Sequence, residues 1–301
     1  MLQTSTIPRV EELATAPGSV NIQRLANSDE AEVLQFLSQR PIHTVTMMSL
    51  IRDNGIVSPF NRGTFYGCRD LNGQLEGVAL VGHATLMETV SDRALAALAQ
   101  VARDCPNTHM IMAEKERVAE FWNHYSKAGH RQRLACREWL FELSWPIEAH
   151  GPMGGLRPAK AQELDLVMPV QAELAFAESG VNPLEVDPEG FRERCLRRIE
   201  QGRTWVVIEN GSLVFKADVI SKTPEVIYLE GIWLHEDRRH QNVGTRLMSE
   251  LMRRLLKETE SICLLVNETN EWAQGFYRKC GFHFRATYET IFLPRKGQVQ
   301  N

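Results

Sequence analysis

The clearest apolar pattern in the chain is a strand followed by a loop and a helix, in the second half. The segment "VIYLEGIWL", residues 226–234, has Glu230 as its one charge, which is typical of a strand buried on both faces. After a polar loop, apolar residues recur with helical spacing over residues 244–257, which predicts a helix. The apolar stripe of this helix consists of Leu247, Met248, Leu251, Met252, Leu255 and Leu256.

A second buried strand is predicted at residues 262–266, and a helix carrying Phe276 and Tyr277 follows it. Because a helix links the two buried strands, we expect the strands to be parallel. Parallel neighbours that separate at their ends leave a cleft at their carboxyl edges, where ligands commonly bind. A buried carboxylate such as Glu230 must be hydrogen-bonded, paired, or facing such a cleft.

The loop between the first strand and its helix has the chemistry of an anion site. The segment "EDRRHQNVGTRLM", residues 236–248, contains Arg238, Arg239 and Gly244. The first amides of a helix lack internal partners and carry partial positive charge, so a loop that directs them into a cleft binds phosphate. A glycine lets the backbone approach an anion closely. The alternative is a solvated loop with surface arginines.

The two halves of the chain follow a related plan. Asn72-Gly73 and Asn210-Gly211 each stand between apolar runs, which predicts two hairpins. Two similar segments, "YSKAG" from Tyr125 and "YRKCG" from Tyr277, each lie at the end of a predicted helix. Between these landmarks the first half is 14 residues shorter, 56 against 70, and it lacks the anion loop. We infer a duplicated fold in which the second copy kept the loop.

The halves are joined by "WPIEAHGPMGGLRP", which carries three prolines and three glycines and is predicted to be a linker. The resulting division is a flexible arm at residues 1–20, a first domain at 21–146, a linker at 147–155, a second domain at 156–295 and a tail at 296–301.

Composition narrows the class of protein. The 301 residues carry a net charge of −4, which does not favour a nucleic-acid partner. Apolar runs long enough for a membrane span are missing, and the N-terminus lacks an apolar signal core. The six cysteines form no C-x-x-C pair, so a structural metal site or a disulfide framework is not expected. We expect a cytoplasmic protein with reduced thiols, and Cys263 in its core.

Residues 226–282 resemble the GNAT superfamily of N-acetyltransferases. The family signature R/Q-x-x-G-x-G/A falls on Arg239 to Gly244, and its later N-x-x-A-x-x-F-Y-x-x-x-G-F element falls on Asn270 to Phe282. The whole chain is similar to the tandem members, in which a degenerate N-terminal copy precedes an active one. The resemblance implies an α/β fold of two tandem GNAT-like domains, each a mixed, mostly antiparallel sheet flanked by helices.

The resemblance also implies acetyl-CoA as the cofactor. In the family, the loop amides hold the pyrophosphate, and the preceding strand pairs with the pantetheine arm. The positions that this assigns to cofactor binding are Ile232, Trp233, Leu234, Arg239, His240, Gln241, Asn242, Val243, Gly244, Thr245, Asn270 and Phe276. Asn242 departs from the signature, where the family has glycine. Asparagine tolerates positive φ better than other non-glycine residues, but its side chain is expected to crowd the pyrophosphate.

Acetyl transfer to an amine requires a base and an acid. An alkyl amine, with a pKa of ~10.4, is mostly protonated at neutral pH, and the leaving thiolate must be protonated or stabilised. Glu230 is the candidate base, and Tyr277 matches the tyrosine that family members use as general acid. The alternatives are a carboxylate paired with a nearby arginine, and a packing aromatic.

The acceptor is less determined. Residues 171–193 hold six acids and one arginine, which either attract a cationic amine or form a solvated face. We expect an N-acetyltransferase that acts directly on a primary amine of a small molecule or amino acid. Two alternatives stay open, a protein lysine or N-terminal acetyltransferase and a non-catalytic acyl-CoA-binding module. The sequence does not indicate an oligomeric state.

Overall fold

The computed structural model describes residues 20–145, 147–148, 151 and 153–294. In the first half these residues form, in chain order, β1 (Asn21–Arg24), α1 (Glu30–Leu37), α2 (Pro41–Asn54), β2 (Gly63–Arg69), β3 (Leu75–Gly82), β4 (Ala84–Thr89), α3 (Asp92–Arg103), β5 (Met110–Glu114), α4 (Lys115–Tyr125) and β6 (Leu134–Ser144). In the second half they form β7 (Arg157–Pro158), α5 (Leu164–Ser179), α6 (Pro183–Val186), α7 (Pro188–Glu200), β8 (Thr204–Glu209), β9 (Ser212–Lys222), β10 (Val226–Leu234), α8 (Val243–Leu255), β11 (Ser261–Asn267), α9 (Glu271–Lys279) and β12 (His283–Phe292).

The strands form one sheet of 12 strands, in the order β1-β2-β3-β4-β5-β12-β6-β11-β10-β9-β8-β7. Two neighbouring pairs, β4 with β5 and β10 with β11, are parallel. The other pairs that the described residues form are antiparallel. The predicted mixed, mostly antiparallel sheet with flanking helices is therefore confirmed.

Helices cover both faces of the sheet because residues on both faces of its strands are apolar. On β3, Val78 and Leu80 pack with α1 and α2, whereas Ala79 and Val81 pack with α3 and α4. In the second half, α8 and α9 pack on one face, and α5 and α7 pack on the opposite face.

Both predicted hairpins are present, with different connections. Asn210 and Gly211 join β8 to β9 with φ values of 50° and 79°, the left-handed conformations that a tight two-residue turn requires. In the first half a longer loop around Gly73 joins β2 to β3. There the Asp70 carboxylate accepts a hydrogen bond from the backbone N–H of Asn72, at 2.9 Å.

The first half lacks the loop that separates β10 from α8. After β4 ends at Thr89, α3 begins at Asp92, and Ser91 caps this helix by accepting a hydrogen bond from the Ala94 N–H at 3.2 Å. In the second half, eight residues separate Leu234 from Val243. This difference accounts for part of the shorter spacing in the first half.

The last strand of each half lies in the sheet of the other half. β6 pairs with β11, and β12 pairs with β5, while β6 and β12 also pair with each other. The edges of β5 and β11 are therefore covered by strands from the other half of the chain. The exchange brings residues of β6, including Glu138, beside the strands of the second half.

Helix α2 also connects the halves. Asp53 forms a two-pronged ion pair with Arg203 at 2.7 and 2.8 Å, and Arg52 pairs with Glu225 at 3.2 Å. Val45 of the same helix packs into a core cluster with side chains of β6, β10, β11 and β12. The N-terminal half thus lies against the face of β10 that carries Tyr228.

Several sequence predictions fall outside the described residues. These are the arm apart from residue 20, most of the linker's central part (149, 150 and 152), and the tail. Within the described ranges, no helix is both long enough and apolar enough to cross a membrane.

Candidate active site

A cleft opens where β10 and β11 separate. Their parallel pairing runs from Val226 opposite Ser261 to Leu229 opposite Leu264 and stops there, although β10 continues to Leu234. The prediction that the two strands are parallel is confirmed. Beyond Leu229, the edge of β10 that faces β11 is left without a strand partner among the described residues.

A β-bulge lies in β10 at the mouth of this cleft. Glu230 is opposite Asp218 of β9, and the next register pair is Trp233 with Lys216, so two residues of β10 face one residue of β9. Gly231 adopts a left-handed φ of 60° within the bulge. Ile232, Trp233 and Leu234, the predicted pantetheine-binding positions, follow the bulge and are half-buried.

Two residues of the loop between β10 and α8 have a left-handed backbone conformation. His240 has φ 60° and Asn242 has φ 59°, and α8 starts at Val243. Gln241 donates to the Asp237 carbonyl at 2.8 Å, and Arg239 donates from Nε to the Leu234 carbonyl at 3.2 Å. Left-handed residues in a tight turn gather backbone N–H groups into a concave anion-binding surface, here beside the start of a helix.

Two residues of the loop make contacts that the sequence did not predict. A Cβ added to Gly244 would meet Leu234 Cδ2 and Phe276 Cε2, both at 3.3 Å, so glycine also allows close packing of α8 against β10 and α9. Arg238 forms an ion pair with Glu209 of β8. Thr245 lies half-buried in the first turn of α8.

Replacing Asn242 with glycine is expected to leave coenzyme A binding unchanged or tighter. Its side chain makes no capping hydrogen bond to α8, so glycine removes bulk while keeping the left-handed backbone. Asn242→Ala is the matched control, expected to lower the free energy of unfolding by about 1 kcal/mol because alanine tolerates this conformation poorly. Titration calorimetry measures the affinities. Much weaker binding by Asn242→Gly would mean that the amide itself contacts the cofactor.

Glu230 is held by a neighbour on its own strand. Tyr228, 6% exposed, donates a hydrogen bond from its hydroxyl to Glu230 Oε1 at 2.6 Å. Burial raises the pKa of Glu230, while the hydrogen bond from Tyr228 and the charge of Arg198 oppose the increase. A carboxylate with a raised pKa is suited to accept a proton near neutral pH.

Two further carboxylates belong to the same surroundings. Burial raises the pKa of Glu138 to about 7, and the negative charge of Glu230 contributes. Glu138 accepts a hydrogen bond from Thr290 at 2.8 Å. Glu178, near the end of α5, is reached by solvent, yet the surrounding protein and then the charges of Glu230 and Glu138 raise its pKa to about 8.

Tyr277 lies on the other side of the sheet from Tyr228. It packs against the core that α8 shares with Ile227 and Leu229, whereas Tyr228 belongs to the cluster on the opposite face. Its ring contacts Phe276 and Phe282 edge to face, with centroids 5.2 and 5.8 Å apart. Burial raises the pKa of Tyr277, so its phenol stays protonated at neutral pH and is available as a proton donor.

The remaining predicted positions are on α9. Asn270 caps this helix by accepting a hydrogen bond from the Ala273 N–H at 3.0 Å, so its side-chain oxygen already has a structural partner. Phe276 lies between Gly244 and Trp272, whose ring stacks on it at 5.8 Å.

Sequence reasoning missed several residues of this region. They are Tyr228, Glu138, Gly231 and the Lys216–Asp218 pair. The signal for the pair was available, because Lys216 and Asp218 interrupt an apolar strand two residues apart and so lie on one face. The signal for Glu138 was not available, because its strand neighbours come from the distant half.

The acetyltransferase (GNAT) family model matches residues 172–282. No curated protein sequence matches the chain. Among solved structures, a Drosophila protein has TM-score 0.66 and 12% identity, covering 91% of this chain and 98% of its own. A GCN5-related N-acetyltransferase from Sphaerobacter thermophilus has TM-score 0.57 and 14% identity, with coverage of 93% and 98%.

A tandem GNAT protein from the clavulanic acid biosynthesis pathway has TM-score 0.54 and 15% identity, with coverage of 92% of this chain and 100% of its own. At these identities the solved structures show the fold alone. The loop before α8 and the separated strands β10 and β11 all lie within the segment that the family model matches. Residues 172–282 thus form a domain of the acetyltransferase (GNAT) family, in a chain with the tandem GNAT fold.

Proposed function

We propose that the protein is an acetyl-CoA-dependent N-acetyltransferase that moves the acetyl group directly to a primary amine of a small molecule or amino acid. The observation that supports the proposal is that Glu230 lies where β10 and β11 separate, while Tyr277 packs on the opposite face of the sheet. A base and an acid in this arrangement can act on the two sides of one thioester carbonyl.

Coenzyme A would be held by the unpaired edge of β10 and by the loop before α8. The edge at residues 232–234 offers backbone groups to an amide-containing arm, and the turn at His240 and Asn242 offers N–H groups to a diphosphate. Bound there, acetyl-CoA supplies an activated acetyl thioester.

The acceptor side favours a cationic amine. Glu230, Glu138 and Glu178 all approach the cleft from the face that carries α5, and their mutual repulsion is relieved by a positive charge. Glu230 would accept the amine's proton as the amine attacks. Tyr277 would donate a proton to the departing sulfur.

Direct transfer is favoured over an acetyl-enzyme intermediate. Cys280 is the cysteine nearest to Tyr277 in the chain, and it is 7% exposed at the end of α9. Burial raises its pKa to about 12, so the thiol is protonated at neutral pH and is a weak nucleophile.

The first half is unsuited to a second cofactor. Arg40 connects its two parallel strands by pairing with Glu88 of β4 at 3.1 Å and with Glu114 of β5 at 2.6 Å. The cavity beneath these ion pairs is about 30 Å³, room for one or two water molecules.

We therefore expect one coenzyme A to bind per chain, since the first half lacks the loop and Arg40 joins its parallel strands β4 and β5 through ion pairs. Titration calorimetry of the intact protein measures the stoichiometry. Arg40→Ala is the control. This variant should still bind one coenzyme A, because removing the Arg40 ion pairs does not create the loop. Two equivalent sites in the unaltered chain would contradict the proposal.

Turnover of acetyl-CoA with a panel of amines, followed by thiol release, tests the activity. Diamines and basic amino acids should be acetylated faster than neutral or acidic amines of similar size. Binding of coenzyme A without thiol release across small amines, peptides and protein lysines would overturn the enzymatic proposal in favour of a binding module.

A further inference from the structure

A lysine is completely buried behind the bulge. The side chains of Lys216 and Asp218 are 0% and 1% exposed, and Lys216 Nζ lies 2.6 Å from Asp218 Oδ2. The same ammonium donates to Gln171 Oε1 of α5 at 2.6 Å and to the Gly231 carbonyl at 3.2 Å. Three acceptors from three elements therefore use its three N–H groups.

Stability alone does not account for this arrangement. Bringing an ammonium out of water costs several kcal/mol, and a buried ion pair is often no more stabilising than well-packed apolar residues of similar volume. The Asp218 carboxylate already accepts hydrogen bonds from Arg198 at 3.1 Å and from the Thr204 hydroxyl at 2.8 Å. What Lys216 adds to that network is the contact with the Gly231 carbonyl of the bulge, together with a hydrogen bond to Gln171 of α5.

The contact fixes a peptide in the stretch of β10 that has no partner in β11. In a planar trans peptide, the C=O of one residue and the N–H of the next point in opposite directions. Since the Gly231 carbonyl accepts from Lys216, the Ile232 N–H points away from the ammonium, and Ile232 lies in the stretch of β10 that β11 does not pair with. A fixed N–H in such an unpaired stretch can bind a carbonyl oxygen that gains negative charge.

The bulge is built around the ammonium. A Cβ on Gly231 would lie 2.8 Å from Lys216 Nζ and 2.9 Å from Gln171 Oε1, so no larger residue fits beside the contact. The left-handed φ of 60° at Gly231 also favours glycine. Lysine and glycine therefore depend on each other at this point of the sheet.

We propose that Lys216 is a positioning residue for acyl transfer: its ammonium holds the Gly231 carbonyl and thereby sets the Ile232 amide and the Glu230 carboxylate in the cleft. The proposal rests on the proposed function for its kinetic consequences. Its structural part, an ordered bulge, is measurable without any substrate.

Three variants test this role. Lys216→Met keeps the length of the side chain but removes its donors and charge, whereas Lys216→Gln keeps an N–H donor without the charge. Thr204→Val is the matched control, because it removes a buried hydrogen bond from Asp218 and leaves the contact with Gly231 in place. Hydrogen exchange by mass spectrometry then reports on residues 229–234 in each.

Exchange at residues 229–234 should increase most in Lys216→Met, less in Lys216→Gln, and not selectively in Thr204→Val. Turnover by Lys216→Met should fall about 10²-fold, the typical cost of misplacing a reacting group or losing one oxyanion donor. Should Lys216→Met fail to fold, Lys216→Gln against Thr204→Val decides the same question.

The pH dependence separates positioning from loss of stability. The groups that face Glu230 are Tyr228 of β10, Lys216 and Asp218 of β9, Arg198 of α7, Glu178 of α5 and Glu138 of β6. The positive charge of Lys216 lowers the pKa of Glu230, so its removal should move the acid limb of the pH–rate profile to higher pH. Thr204→Val should leave that limb in place.

Unchanged exchange at the bulge, or turnover equal to that of Thr204→Val with an unmoved acid limb, would overturn the role of Lys216. An unaltered protein without acetyl transfer would instead overturn the proposed function, and the exchange measurement would still decide whether Lys216 orders the bulge.

Discussion

Replacing Glu230 with glutamine is expected to lower turnover by ~10²–10⁴-fold, the range typical for loss of a general base. Glutamine can still accept the hydrogen bond that Tyr228 donates at 2.6 Å, so the local geometry should survive. What is lost is the ability to take a proton from the amine. Coenzyme A affinity, measured by titration calorimetry, should be nearly unchanged, since Glu230 is hydrogen-bonded to Tyr228 on the face of the sheet opposite α8.

The pH dependence gives this prediction a signature. In the unaltered enzyme Glu230 must be ionised to act as base, and its pKa is raised by burial. Activity should therefore increase as pH rises through that raised pKa and then level off. In Glu230→Gln this plateau should be absent, and activity should keep rising with pH as the free amine accumulates towards its own pKa of ~10.4.

Glu178→Gln is the matched control, because Glu178 also has a raised pKa, about 8, but lies on α5 instead of the bulged strand. It should weaken binding of the amine, seen as a higher KM, and largely spare kcat. If Glu178→Gln lost turnover while Glu230→Gln kept it, the base would be Glu178.

Replacing Tyr277 with phenylalanine should also lower turnover by ~10²–10⁴-fold, because the departing thiolate loses its proton donor. The ring contacts with Phe276 and Phe282 do not involve the hydroxyl, so packing and coenzyme A affinity should be retained. Steady-state kinetics and calorimetry on the same preparation check both statements.

The first half supplies the control for Tyr277. Tyr125 ends the corresponding helix, is 1% exposed, and packs against Phe121. Tyr125→Phe should leave turnover unaltered. Full activity in Tyr277→Phe would remove the tyrosine from the mechanism, and an acetylated cysteine trapped during turnover would replace direct transfer with a covalent route.

Local patterns predicted the strand and the helix that frame the candidate site. The apolar run at 226–234 coincides with β10, and the helical stripe at 244–257 corresponds to α8 at Val243–Leu255. These elements are determined by residues close together in the chain, so periodicity is sufficient. The left-handed backbone at Asn242 was likewise predictable, because the residue type and its position in the loop point to the same conformation.

Long-range features could not be predicted in this way. Apolar alternation along β6 indicates which side chains are buried, but it does not identify the neighbouring strands. The sequence therefore assigned Glu138 to the first domain and not to the cleft. The bulge at Gly231 could not be predicted for a related reason, since it depends on the register of β10 against β9 and on the ammonium of Lys216.

The exchange of β6 and β12 has a consequence for how the protein is made. The strand that covers β5 is His283–Phe292, so during synthesis the first half emerges without this partner until residues 283–292 have been made. Unpaired strand edges are templates for aggregation, and pairings between distant segments form slowly. Neither half pairs all of its strand edges alone, so a nascent first half exposes an edge of β5 with which another chain could pair.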